Sequence, residues 1–410
     1  MLAYFALSLA VPSGYSYGAV MLLVIALGYL PTRPGVQLSR EDKTLAYLLF
    51  AFFLVALVVF LLHQNKPKTL DQSSRYLLFI PILILLLKIP PSARLLWAGL
   101  IVGAFSALGL ALWQRYIQEN FRPDGFMTSA IPFGNLSLTA GLLCLSGITW
   151  ANTQTRYAWT WKITLYGGFL AGLYVSFLSD SRGGWLVLPV MLAIFLAAFF
   201  KKDKLKTIAL SGLILLVAMT EIGISMRGEI MTRYDAAVAE VHDYTAKGNA
   251  SSSVGLRLEA WRTAINNIAE KPLLGWSYRD YDIRLTQLAA NHKANVSITT
   301  LANTHNNFLE VWLHQGLFGF LALLELFMVP FWFFCKRLRS DDHAVQAFAL
   351  GGACLLASFF VFSLTQVILG RNNGVIFFGL SLVIFWACMR NAEQKAAERN
   401  QTSAASESPP

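Results

Sequence analysis

The sequence predicts an all-α, polytopic membrane protein of about twelve transmembrane helices with one long extramembrane helical loop. Three observations predict it. Of 410 residues, 56% are hydrophobic and 14% charged, where soluble chains hold roughly 45–50% and 25%. Apolar runs recur along the chain, most of them near the ~20 residues that a spanning helix requires. Basic residues crowd into alternate loops between those runs. Together these exclude a water-soluble enzyme, a disordered chain and a nucleic-acid-binding module. The net charge of +10 is then a topology signal before it is a partner signal, because Lys and Arg concentrate in cytoplasmic loops.

The expected spans are 2–12, 16–31, 44–63, 75–88, 94–114, 127–150, 160–180, 184–200, 207–225, 306–335, 345–370 and 373–389. The first, fourth and eighth are short. No Lys or Arg precedes Arg33, so the apolar start lacks the basic region of a cleaved leader and reads as the first span. Pro12-Ser13-Gly14 and Gly370-Arg371-Asn372-Asn373-Gly374 are turn chemistry between neighbouring spans. One set of alternate loops carries seventeen Lys and Arg, including the Lys201–Lys206 run, and the opposite set of short loops carries seven. That asymmetry places both termini in the cytoplasm and residues 226–305 outside. The chain thus divides into membrane helices over 1–225, an outside loop over 226–305, membrane helices over 306–390, and a tail over 391–410. The tail is rich in Ala, Glu, Ser and Pro and is expected to be disordered and cytoplasmic. The four cysteines lie in or beside apolar runs and read as packing residues rather than a disulfide framework.

The outside loop reads as two helices and a polar stretch. Glu229 to Lys247 forms the first, ended by Gly248. Ser251-Ser252-Ser253 offers an N-cap for the second, in which Leu258, Trp261, Ile265 and Ile268 recur at helical spacing and which Pro272 stops. Residues 277–304 show no period. There is no Gly-rich phosphate loop and no Cys/His metal spacing.

Three features could carry chemistry. Arg182, in Asp180-Ser181-Arg182-Gly183-Gly184, sits at a membrane boundary, where a cation needs a cavity, a partner or a headgroup. It is either a ligand-facing arginine, a snorkelling one beside a tight Gly-Gly turn, or one paired with Asp180. Arg257 lies one turn from Trp261, on either a solvated face or a ligand-facing one; its planar fork suits phosphate oxygens. His305, in Asn303-Thr304-His305-Asn306-Asn307, opens the tenth span. It is either a helix-start residue held by its asparagines or a base poised near neutral pH. Glu310 and Glu325 are ionisable residues in an apolar helix and functional candidates for that reason. The charge asymmetry puts Arg182, Arg257 and His305 on one membrane face. Two guanidinium groups and a neutral histidine there suit a lipid-carried diphosphate. The arginines would neutralise the leaving group and the histidine would take a proton from an attacking hydroxyl.

The order Ser181-Arg182-Gly183-Gly184, Leu256-Arg257-Leu258-Glu259-Ala260-Trp261, Leu273-Leu274-Gly275-Trp276 and Thr304-His305-Asn306-Asn307-Phe308-Leu309 resembles the O-antigen ligase family over roughly residues 125–390. The resemblance implies a glycosyltransferase-C-like fold in the Gram-negative inner membrane with its active site on the periplasmic face. It implies inverting transfer of glycan from undecaprenyl diphosphate to lipid A-core, with membrane lipids around it and without metal, cofactor or nucleic acid. It matches His305 to the family's base and Arg182 and Arg257 to its diphosphate ligands; Asn306, Trp261 and Glu310, beside these motifs, are candidates for supporting roles. It leaves Arg371, Glu325 and Asn135 without roles; many relatives have Asn-Pro where this chain has Asn135-Leu136. O-antigen polymerases and protein O-oligosaccharyltransferases share the superfamily. The former typically carry two large outside loops with Arg-x10-Gly motifs, the latter a longer C-terminal extension; neither feature is present. A lipid-linked oligosaccharide transporter would predict internal repeats and paired charges near the midplane, which the sequence lacks.

Overall fold

Helix starts follow capping chemistry. The Ser39 hydroxyl accepts the Asp42 N–H, the Asp42 carboxylate accepts the Ser39 N–H, and α3 (Arg40–His63) runs from this reciprocal cap. It follows α1 (Leu2–Leu7) and α2 (Gly14–Tyr29) and leads, through a 3-10 turn at Pro67–Leu70, to α4 (Asp71–Lys88) and α5 (Ala93–Tyr116). Next come α6 (Ala130–Ser146), α7 (Ala158–Leu178), and α8 (Val187–Phe199) behind a single turn at Arg182–Trp185. After these stand α9 (Ser253–Glu270), α10 (Tyr278–Ala290), α11 (Asn307–Cys335), α12 (His343–Ser363) and α13 (Asn372–Glu407). The computed structural model describes residues 1–32, 35, 37–127, 129–199, 235, 238–246, 248 and 250–407, and among these it is helical with no strand. The expected ninth span and the Lys201–Lys206 run lie outside the described residues, as do residues 229–234, 236, 237 and 247 of the expected helix Glu229–Lys247; its residues 235 and 238–246 are helical.

Among the described residues, eight helices are long and apolar enough to cross a membrane. Burial sorts them. The apolar window of α12 is 94% buried and that of α13 83%, against 33% for α3 and α11. The last two spans and α6, whose apolar window is also 83% buried, are therefore the centre, and α3 and α11 face outward. Val20, Met21 and Val24 on α2 and Leu61 and Leu62 on α3 are exposed, an apolar surface that suits lipid rather than water. The helices bind closely where small residues meet: a Cβ on Gly172 of α7 would lie 2.3 Å from the Ser137 carbonyl oxygen of α6.

The two ends of the bundle differ. At one, Arg337 bridges Glu41 (2.5 Å) and Glu393 (2.6 Å), Arg390 lies 3.3 Å from Asp42, and the Trp386 indole donates to Asp42 (2.8 Å). These groups staple the start of α3 and the end of α11 to α13. At the other end lie the starts of α4, α6, α11 and α13, the ends of α5, α7 and α12, and the α9–α10 domain.

Three expectations are corrected. The first apolar run makes only the six-residue α1, which rises about 9 Å and is too short to span. The tail expected to be disordered continues α13 to Glu407. Residues 277–304, read as aperiodic, contain α10 and a 3-10 turn at Val296–Thr300.

Candidate functional site

The extramembrane helices have their own small core of Ala264, Ile268, Trp276, Tyr281, Leu285 and Leu313. The hydroxyl of Ser252 accepts the Gly255 N–H (3.0 Å) and starts α9. Its buried face is Glu259, Ala260, Thr263, Ala264, Asn267 and Ile268, so that of the expected apolar stripe only Ile268 is buried and Ile265 is 55% exposed. A carboxylate can take that place because every side of it is met. Glu259 accepts from Tyr244 Oη (2.7 Å), Arg262 (2.9 Å) and the Asn295 N–H (2.9 Å). Burial works to raise this carboxyl, but those partners together hold it below its ordinary value.

The domain docks on a break in α11. Gly316 has φ 67° and ψ −169°, and the turn Leu273-Leu274-Gly275-Trp276 fits against it. The Leu317 N–H, without a helical partner at the break, donates to the Pro272 carbonyl (2.8 Å), and the Trp276 N–H donates to the Leu313 carbonyl (2.7 Å). Neither glycine has room for a side chain. A Cβ on Gly316 would lie 2.0 Å from the Leu273 oxygen, and one on Gly275, itself at φ 72°, 2.5 Å from the Leu313 oxygen.

That dock presents the turn before α11 to α9. His305 has φ 54°, a left-handed conformation costly for a residue with a Cβ, and its neighbours hold it there. The Trp261 indole donates to the Thr304 carbonyl (2.9 Å), the Thr304 N–H to Glu310 (2.9 Å), and the His305 N–H to Asn303 Oδ1 (3.0 Å). Asn306 Oδ1 caps α11 by accepting the Phe308 and Leu309 N–H groups. Asn306, Trp261 and Glu310 therefore all brace the His305 turn. The second Glu310 oxygen lies 3.7 Å from His314 Nε2, whose ring stacks on Tyr278.

The His305 ring is half-buried, and its Nδ1 has no hydrogen-bond partner. Burial, then Arg257, then Arg371 lower its pKa below the ordinary histidine value. Arg257 is itself half-buried, and burial alone lowers its pKa; among the described residues it makes no hydrogen bond or ion pair. Arg371 is one of the three residues that the reading of the sequence left without a role. It lies 66 positions from His305 and only the fold brings them together.

Arg182 stands on the same end. Asp180, at φ 55°, grips it through Nε and Nη2 (2.6 Å each) and also draws Arg122 (3.8 Å). The glycine after it packs on the α12–α13 connection: a Cβ on Gly183 would lie 3.1 Å from Thr365 Oγ1. The residue before Thr365, Leu364, accepts the Asn306 amide (3.2 Å). One connection thus touches both the Arg182 turn and the His305 turn. No contact joins the Arg182 side chain to His305 or Arg257 among the described residues. Asn135 is buried with both amide atoms unpaired beside Gly184, whose Cβ would lie 2.2 Å from its Oδ1. Glu325 sits on an exposed face of α11, outside this group. Among the described residues no three His, Cys, Asp or Glu side chains gather as a metal-binding group.

A family profile described as O-Antigen ligase matches residues 167–324, the stretch that holds Arg182, Arg257 and His305. An O-antigen ligase of Escherichia coli (strain K12) is 25% identical over 290 residues, 69% of this chain and 60% of that protein. Over these residues the chain is similar to the O-antigen ligase family. An uncharacterized protein of Haemophilus influenzae is 28% identical over 386 residues, 93% of this chain and 95% of its own length. With eight helices of spanning length among the described residues, the chain is a multi-pass membrane protein.

Proposed function

We propose that this enzyme transfers O-antigen glycan from undecaprenyl diphosphate to lipid A-core at the periplasmic face of the inner membrane. The observation that carries the proposal is the pairing of His305, kept neutral, with the half-buried Arg257, which has no carboxylate partner among the described residues. A desolvated guanidinium beside a neutral base favours an anion next to a hydroxyl nucleophile.

In the reaction, His305 accepts the proton of an acceptor sugar hydroxyl as the oxygen attacks the anomeric carbon. The bond from that carbon to the diphosphate oxygen breaks, and undecaprenyl diphosphate leaves with the bonding pair. Attack opposite the leaving group inverts the anomeric centre. The leaving group needs charge neutralisation rather than a proton, and Arg257 and Arg182 supply it. The grip of Asp180 on Arg182 does not prevent this. Arginine has five N–H donors, Asp180 engages two, and three remain for phosphate oxygens. Asp180 thus orients the fork.

The test is transfer by the purified enzyme from undecaprenyl-diphosphate-linked glycan, with lipid A-core offered beside a second lipid-linked glycan as acceptor. Product on lipid A-core supports the ligase. Elongation of the lipid-linked glycan alone would overturn it in favour of a polymerase.

A further inference from the structure

We infer that Arg371 is a third arginine for the donor's diphosphate, presented beside His305 by the Leu364–Arg371 connection and held in register by Arg75 through Asn372. The inference rests on the transfer reaction proposed above.

The connection between α12 and α13 is pinned to the His305 turn at two points. The Asn306 amide donates to the Leu364 carbonyl (3.2 Å), and the Leu369 N–H donates to Asn307 Oδ1 (3.0 Å). Asn307 is only 2% exposed, so that second bond is shielded from water and fixes the spacing of the two segments. The 3-10 turn Ile368–Gly370 follows, and the Arg371 N–H closes onto the Ile368 carbonyl (3.3 Å). Arg371 is therefore one tight turn from a residue bonded to the neighbour of Asn306.

The other flank is tied as firmly. Asn372 Oδ1 accepts from Arg75 and from Gln72 (3.5 Å) on α4. Arg75 is held in turn by Asp71 (2.9 Å), and its side chain is 16% exposed. The start of α13 is clamped between α4 and α11, and Arg371 stands at the clamped point. Arg257 stands on α9 and Arg371 on the α12–α13 connection, and the charges of both act on the His305 ring from these two separate elements. A diphosphate diester spreads its negative charge over two phosphoryl groups, and cations on separate elements suit it better than one cation would. Phosphate groups on the acceptor share this chemistry, and the test separates the two sources.

The measurement is steady-state transfer with donor and acceptor varied in turn, together with direct binding of undecaprenyl diphosphate. Arg371→Gln is expected to raise the donor KM and weaken undecaprenyl diphosphate binding by about ten- to a hundredfold, with the acceptor KM unchanged. Arg371→Lys, which keeps the charge and tests the fold, is expected to fall between Gln and the parent. Arg75→Gln is expected to weaken donor binding too, and to add little in the Arg371→Gln background, because Arg75 acts through Arg371. An unchanged donor KM and unchanged binding in Arg371→Gln, or an effect confined to the acceptor KM, would overturn the inference. So would fully additive losses in the double variant, for the part given to Arg75. His305→Ala and Arg257→Gln serve as controls. If they keep full transfer, the proposed reaction falls. If they lose transfer and Arg371→Gln behaves as the parent, only the role of Arg371 falls.

Discussion

His305 concentrates the chemistry, and its surroundings set the pH at which it works. Burial and the charges of Arg257 and Arg371 all disfavour the imidazolium. Glu310, in the first turn of α11, is engaged by the Thr304 N–H. The free base therefore persists below the ordinary value of 6.5. The acid limb of kcat/KM is expected below pH 6.5, moving up toward it in Arg257→Gln as a positive neighbour is lost; a limb that stays put would separate His305 from the reaction. His305→Gln keeps hydrogen bonding and loses basicity, so transfer should fall by roughly 10²–10⁴-fold while undecaprenyl diphosphate binding holds. Wild-type turnover in that variant would make the residue one that orients substrate. Arg182→Lys and Arg257→Lys replace a planar fork by a point charge and are expected to lose most transfer with the protein still in the membrane.

At the scale of elements, the break in α11 ties the extramembrane domain to the bundle. Gly316→Ala would force a Cβ into the left-handed region and against the Leu273 oxygen. The backbone term alone is of order 1–3 kcal/mol. A lower midpoint of thermal unfolding in detergent and reduced transfer are expected, and an unchanged midpoint would dismiss the dock as a stabilising contact. Glu259 makes a second test. Its folded pKa lies below the ordinary carboxyl value, so its stabilisation is complete above that ordinary value and is lost as pH falls through the lowered one. Glu259→Gln should lower the unfolding midpoint at pH 7 and lessen its decline with acid. Here the reading of the sequence failed for a definite reason. The helical spacing of Leu258, Trp261, Ile265 and Ile268 was real, but Arg262 on the same helix and Tyr244 and Asn295 from two other segments satisfy Glu259 and turn its face inward. The long apolar helices were legible because hydropathy is local. So were the Ser252 and Asn306 starts, because caps are local.

At the scale of the molecule, the positions of Arg182, Arg257 and His305 at one end of the bundle could be read from the alternation of spans, whereas Arg371 could not. Its link to His305 runs through Leu364, Leu369 and Asn372, contacts with no signature in the order of residues. Which compartment that end faces follows from charge alone: seventeen Lys and Arg in one set of loops against seven in the other. The site, the α9–α10 domain and the exposed Thr245 belong to the poorer side. The ion pairs of Arg337 and Arg390 and the exposed Asn400 belong to the richer one. Cations are retained in the cytoplasm during insertion, so the site should open to the periplasm, where a lipid-linked donor and a lipid acceptor can meet in one leaflet. Single cysteines test this cleanly, because Cys144, Cys354 and Cys388 are buried and only Cys335 is partly accessible. In a Cys335→Ser background, Thr245→Cys is expected to react with an impermeant maleimide once the outer membrane is opened. Asn400→Cys should react only after the inner membrane is breached. The reverse pattern would place the domain and its histidine in the cytoplasm, and with them overturn both the charge argument and the proposed reaction.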